Sequence, residues 1–464
     1  MVMRPSLGHA GWPGLAGWVM FDWAAQPFYT LILTFLFAPY FAATFVADAA
    51  LGQEIWAYAT AATGFIVAFA SPVVGAIADA SGRRKPWIAM ASIVLVAAMS
   101  LLWLAEPGKT QMLFPVVAAV VMAGVAAEIA TVFTNAMMPG LVPHHQLGRL
   151  SGFGWAVGYA GGLVSLVITA GLLVADGETG KTMLGLSPVV ALDTLAHEGE
   201  RLVGPFCALW YAVFVLPLFA FTPDHVPGHR VKGFGAAARH GLAQLRESIL
   251  HLRRYSNIVR FLLARMLYAD GLGAIFAFGG LYAASLFGWG ATELGVFGVI
   301  LTVAASIGAV LGGPLDDRLG ARTVIFAGLV GLVVVCAGVL SVDKTSVLYV
   351  IDVEPASRAR GLFSSTGEQV YLAFSIGIGL VAGPIQAASR SLLARLAPPE
   401  MMTEFFGLFA FSGKVTAFAA PLGVGIVTGL TGDQRLGIAS IAVFLVGGLA
   451  LLMTVREPAL PSRQ

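Results

Sequence analysis

Gly75-Ala76-Ile77-Ala78-Asp79-Ala80-Ser81-Gly82-Arg83-Arg84 joins the end of one apolar run to the start of the next. The pattern returns as Gly313-Pro314-Leu315-Asp316-Asp317-Arg318-Leu319-Gly320-Ala321-Arg322, again between two apolar runs. Adding 238 to Gly75, Asp79, Gly82 and Arg84 lands on Gly313, Asp317, Gly320 and Arg322, four matches in one register. A repeat of this kind in an apolar chain predicts a transporter built from two related halves, with its substrate site between them.

The composition agrees. The 464 residues are 58% hydrophobic and 11% charged, with mean hydropathy +0.84, whereas a soluble domain carries roughly 25% charged residues. Fifty-six glycines suit close packing of membrane helices. Apolar windows mark twelve spans, at 16–47, 55–78, 87–105, 112–137, 151–175, 204–222, 258–287, 292–314, 322–341, 366–388, 403–430 and 435–454, each near the length that crosses a bilayer. The first is read as a retained helix, since only Arg4 precedes it and no small-residue cleavage site does. Lys and Arg concentrate in the segments that are cytoplasmic if both termini are inside, which means the inner membrane if the chain is bacterial.

Residues 223–257 divide six spans from six and carry Arg230, Lys232, Arg239, Arg246, Arg253 and Arg254 together with Glu247. The predicted organisation is thus a first half at 1–222, a basic linker at 223–257 and a second half at 258–464. Leu242, Leu245, Ile249 and Leu252 fall at helical spacing, which suggests an amphipathic helix on the inner leaflet. A solvated basic linker is the alternative. The loop at 176–203 is polar, with Asp176, Glu178, Asp193, Glu198 and Glu200, and too short for a catalytic domain.

The repeated motif is the loop signature of the major facilitator superfamily, and the chain resembles that superfamily over its whole length. Phe21-Asp22-Trp23-Ala24, Asn135-Ala136-Met137-Met138-Pro139, Gly158-Tyr159-Ala160-Gly161-Gly162, Tyr268-Ala269-Asp270-Gly271 and, after span 10, Gln386-Ala387-Ala388-Ser389-Arg390-Ser391 are similar to the vacuole-effluxer-like branch. The resemblance implies an all-α membrane fold of twelve helices in two pseudo-symmetric halves, and amino-acid efflux of the kind associated with fungal members. It also assigns Gly75, Asp79, Gly82, Arg83, Arg84, Gly313, Asp317, Gly320 and Arg322 to charge–dipole contacts that favour one conformation. Because Ala321 replaces Arg83 and Asp316 is added, the second contact is expected to be the weaker.

An ionisable group at mid-bilayer costs about 2.5–3.5 kcal/mol on insertion scales and calls for a reason. The superfamily fold places spans 1, 4, 7 and 10 around the cavity, and they carry Asp22, Glu128, Asp270 and Glu368. Asp22, Gln26 and Tyr29 share one helical face, as do Glu128, Thr131 and Asn135, and Glu368, Tyr371 and Ser375. Arg265 and Tyr268 share a face of span 7, with Asp270 about 140° away from Arg265. Lys414 in span 11 needs a buried carboxylate, Glu128 first. A structural ion pair or helix cap is the competing role for each acid. Glycine ridges, Gly154-Gly158-Gly162 in span 5 and Ala304-Gly308-Gly312 in span 8, are expected to meet across the halves.

Other chemistry is excluded. Adjacent His144 and His145 cannot share a helical face, and His225, His229, His240 and His251 are scattered, so no metal site is predicted. Cys207 and Cys336 lie in apolar runs and are expected free. No Walker loop supports an ATP-driven pump, and no cofactor is expected. The reading is a monomeric secondary transporter of a small polar organic solute, such as an amino acid, coupled to protons and surrounded by lipid, with no nucleic-acid partner. A transport-inactive sensor and a membrane-embedded transferase are the rivals, and the sequence shows neither an appended signalling domain nor a catalytic loop.

Overall fold

A computed structural model describes residues 9–175, 179–224, 231, 233–354 and 361–458. Arg230, Lys232, His225, His229, Asp176 and Glu178 lie outside the described residues, as do the side chains of Ile249 and Leu252. Among the described residues twelve helices are long and apolar enough to cross a membrane: Trp12–Phe45, Ala49–Ser81, Lys85–Leu104, Thr110–Gly140, His144–Leu173, Glu198–Phe221, Arg253–Phe287, Thr292–Leu319, Ala321–Leu340, Thr366–Leu396, Pro399–Thr431 and Gln434–Met453. These are spans 1 to 12 below. Large apolar side chains such as Phe65, Phe69, Leu281 and Val334 remain exposed on them, as lipid-facing positions must.

Local sequence sets where the helices start. The Asp48 side chain accepts the Ala50 and Leu51 amides to open span 2, and Asp433 accepts the Arg435 amide to open span 12. Span 10 differs most from its expected bounds. It runs on to Leu396 instead of ending at 388, so Gln386–Ser391 lies within the helix and not after it. Span 11 is interrupted. Its helix ends at Lys414 and resumes at Ala419, and 415–418 form turns. An antiparallel pair of short strands, Ser346–Val347 with Ile351–Asp352, lies between spans 9 and 10.

The chain forms two compact units. The first comprises Met1–Pro143, Val157–Arg246 and Pro398–Ala410, and the second His144–Ala156, Glu247–Ala397 and Phe411–Gln464. Their limits differ from the 1–222 and 258–464 halves: the start of span 5 belongs to the second unit, and the start of span 11 to the first. Within the first unit, span 4 packs on spans 2 and 3, and span 6 on spans 1 and 3. Within the second, span 10 packs on spans 8 and 9, and span 12 on spans 7 and 9. The pairing pattern therefore repeats between the two halves of the sequence.

Between the halves, Phe234–Leu250 forms a helix. Its buried side is Ala237, Gly241 and Leu245, with Leu242 exposed. The expected stripe of Leu242 with Leu245 is thus split between two faces, because small residues at Ala237 and Gly241 allow the closest approach to the protein. Cys207 and Cys336 are free thiols.

Candidate functional site

In the first unit the motif positions each have a distinct task. Gly75 faces the span 11 backbone so closely that a Cβ there would lie 2.5 Å from the Thr403 carbonyl oxygen. That approach brings Asp79 to the start of span 11. Its carboxylate accepts the Thr403 hydroxyl at 2.6 Å and the Glu404 amide at 2.9 Å, capping the helix where its dipole is positive. Arg84 donates Nε to the Thr403 hydroxyl at 2.9 Å and lies 3.4 Å from Asp79. Gly82 ends span 2 at φ 76°, a left-handed conformation that favours glycine. Arg83 is exposed.

The second copy is not weaker in geometry, contrary to the expectation from Ala321 and Asp316. Asp317 accepts the Gly148 and Arg149 amides at 2.8 and 3.2 Å, capping span 5 as Asp79 caps span 11. Gly313 permits this, since a Cβ there would lie 2.9 Å from the Gly148 carbonyl oxygen. Gly320, at φ 89°, is the counterpart of Gly82. Arg322 does not play the part of Arg84. It donates to the Leu452 and Met453 carbonyls at the end of span 12. Arg395 of span 10 takes that part instead, 3.4 Å from Asp317 and bonded also to Asp316 and to Glu457. Asp316 further accepts the Ser391 hydroxyl.

Two further acids complete the pattern, and sequence reasoning missed both. Asp224, just after span 6, accepts the Arg84 and Lys85 amides at 3.0–3.1 Å and caps span 3. Glu457, just after span 12, accepts the Ala321 and Arg322 amides at 3.0 and 2.8 Å and caps span 9. Their shared position, an acid a few residues after the last span of each half, is the signal that was available.

The mid-span residues fall into two groups. In the first unit, Tyr29 reaches Thr131 and has Glu128, Tyr211 and Asp22 as ionisable neighbours, so the polar faces of spans 1 and 4 come together. Gln26 lies beside Gly162, and Asn135 is buried. In the second unit, Arg265 donates to the Ser412 hydroxyl at 2.9 Å and lies against Gly413, where a Cβ would be 2.7 Å from its guanidinium. Asp270 faces the same span despite its angular offset, because Thr416 lies one turn further along span 11 than Ser412. The Thr416 hydroxyl approaches Asp270 without closing a hydrogen bond, and the Arg265 guanidinium is near enough to act on its charge. Among the described residues neither oxygen of Asp270, 4% exposed, has a hydrogen-bond partner. Lys414 ends the first half of span 11 and belongs to the second unit, whereas Glu128 belongs to the first.

Two expected ligands are engaged elsewhere. Glu368 forms a capping box with Ser365, whose amide and hydroxyl it accepts at 3.0 and 2.9 Å, and takes the Trp289 indole N–H at 2.8 Å. It thereby caps span 10. Tyr268 is buried and shares a hydrogen bond with Ser389 of span 10 at 2.7 Å. The glycine ridges also pack differently from the expectation. Gly158 and Gly162 lie on Asp22, Gln26 and Thr30 of span 1, and Gly308 and Gly312 on Leu380 and Pro384 of span 10. Spans 5 and 8 do approach closely, but through Gly152 on Ala309 and Gly148 on Gly313.

Solved structures of the major facilitator superfamily share this fold. The proton:xylose symporter XylE, bound to 6-bromo-6-deoxy-D-glucose, aligns with TM-score 0.67 at 12% identity over 96% of this chain and 95% of that one. The transporter FucP in its outward conformation aligns with TM-score 0.67 at 14% identity over 96% and 99%. The fold is thus the multi-pass, twelve-helix membrane fold of the major facilitator superfamily. The chain belongs to the vacuole effluxer Atg22-like family, whose model matches residues 53–458. It is 25% identical to the uncharacterized MFS-type transporter YxiO of Bacillus subtilis (strain 168), over 95% of this chain and 94% of that protein. It is 28% identical to autophagy-related protein 22 of Cryptococcus neoformans var. neoformans serotype D (strain B-3501A), over 66% of this chain but 52% of the relative, so it spans about half of that fungal protein.

Proposed function

We propose that the protein is a secondary active transporter that exports a small polar organic solute, an amino acid by analogy with the effluxer family, by alternating access coupled to protons. The observation that carries this reading is Asp270: a buried carboxylate with neither oxygen hydrogen-bonded, beside the interruption of span 11 and on a helix that also carries Arg265. Interrupted membrane helices with uncommitted polar groups are where transporters hold solutes and coupling ions. Within the second unit, Arg265 suits the carboxylate of an amino acid and Asp270 its amine. The two sequence halves are the moving bodies, and the Asp79 and Asp317 caps open and close in each cycle. Both termini face the cytoplasm, and the protein works as a monomer in the inner membrane.

The test is Asp270→Asn in proteoliposomes loaded with a panel of amino acids. The variant is expected to lose accumulation driven by a pH gradient and to retain exchange, which requires no net proton movement. Retained accumulation sinks the coupling role of Asp270. Loss of exchange and binding together makes it a solute ligand or a structural group.

A further inference from the structure

The helix Phe234–Leu250 packs against the last two turns of span 2. Gly241 lies on the last two turns of that span, where a Cβ would be 2.7 Å from the Ala76 backbone. The Val231 amide donates to the Ala80 carbonyl at 3.2 Å. Gln244 donates to Glu404 at 3.1 Å, the residue whose amide is bound by Asp79. One face is therefore committed to the protein and to the Asp79 contact. On the other face Arg239, Leu242 and Arg246 occur at intervals of one turn and are exposed, Leu242 at 47%. Among the described residues of this helix Glu247, exposed beside Arg246, is the single acid, against Arg239 and Arg246. Two guanidiniums flanking an exposed leucine at headgroup depth complement a phosphate-bearing surface and its first methylenes.

We propose that the Arg239–Leu242–Arg246 face binds the headgroups of anionic phospholipids in the adjoining leaflet and so clamps the helix onto Glu404 and the Asp79 contact. A basic residue near an anionic surface contributes about fivefold in binding, and two contribute about thirtyfold. The bound occupant is lipid because the helix is docked at the depth where a span ends.

The experiment uses the full chain with Cys207→Ala, Cys336→Ala and Leu242→Cys, labelled with an environment-sensitive fluorophore and placed in nanodiscs. Discs of phosphatidylcholine are compared with discs that also contain phosphatidylglycerol. The expected result is a blue shift with phosphatidylglycerol, weakened by salt and abolished in Arg239→Gln/Arg246→Gln, whose exposed positions leave folding intact. Identical spectra in the two lipids, or a double variant that still responds, would overturn the proposal. So would a blue shift reproduced in phosphatidylcholine discs by soluble glycerol phosphate, which would assign the face to a dissolved anion. The clamp itself is read from alkylation of Ser71→Cys, in the span 2 surface that contacts span 11. Alkylation is slower in phosphatidylglycerol discs if the clamp exists, and equal rates refute it.

Discussion

Asp79→Asn tests the motif at the level of single bonds. Asp79 and Arg84 are both buried, and the carboxylate holds three donors: the Thr403 hydroxyl, the Glu404 amide and Arg84. Asn keeps one acceptor, but turns an NH2 group toward an N–H donor or toward Arg84. The change removes a charge-assisted hydrogen bond worth about 1.5–3 kcal/mol and leaves Arg84 without its counter-charge, so breaking the pair costs about 3–5 kcal/mol. Some of this is recovered through Thr403, which still accepts from Arg84. A net loss of about 3 kcal/mol raises the open population by about 100-fold. Ser71 reports it, since its hydroxyl donates to the Gly407 carbonyl at 3.0 Å and is fully buried in the same contact. With Cys207 and Cys336 removed, Ser71→Cys is expected to be alkylated about two orders of magnitude faster in Asp79→Asn. Transport falls, while substrate affinity stays within a few-fold because none of the mid-span polar groups is altered. An unchanged alkylation rate in a folded variant would refute the reasoning.

Asp317→Asn is expected to impair transport to a similar degree, measured in the same vesicles, because Asp317 caps span 5 through two amides and is backed by Arg395. Full activity there would restore the view that the second motif is the weaker. Glu368→Ala is expected to cost about 0.5–2 kcal/mol of stability by loss of its cap, read as a lower melting temperature in detergent, with the KM for solute unchanged. A large rise in KM at unchanged stability would return Glu368 to the solute site.

The motif was legible because its stereochemistry leaves few alternatives. A positive φ asks for Gly82 and Gly320, and a backbone contact asks for Gly75 and Gly313. The apolar windows found all twelve spans for a similar reason, since crossing a bilayer fixes length and composition. The apolar window ended span 10 too early, at 388. Arg390 donates to the Ser151 hydroxyl at 2.9 Å and to the Ser151 carbonyl at 2.7 Å, and Arg395 is bound by three acids, so the helix carries both inside the protein. Ser365-x-x-Glu368 has the spacing of a capping box, and the helix cap weighed as the alternative for Glu368 is the contact it makes. The interruption of span 11 had a marker in Pro421, which has no N–H for the Ala417 carbonyl and suits only the first turn of the resumed helix. Asp224 and Glu457 were hidden because each caps a helix far away in sequence.

Those two caps impose an order on biosynthesis. The start of span 3 waits for Asp224, which follows span 6 directly, so this cap closes before any of the second half has left the ribosome. The start of span 9 waits for Glu457 and stays bare until span 12 has been made. Span 5 is bare for longer than its neighbours, since the Gly148 and Arg149 amides are met only when Asp317 arrives with span 8. A pause in translation between spans 5 and 8 would therefore leave an unsatisfied helix start at the membrane surface, where a chaperone or a protease would find it first.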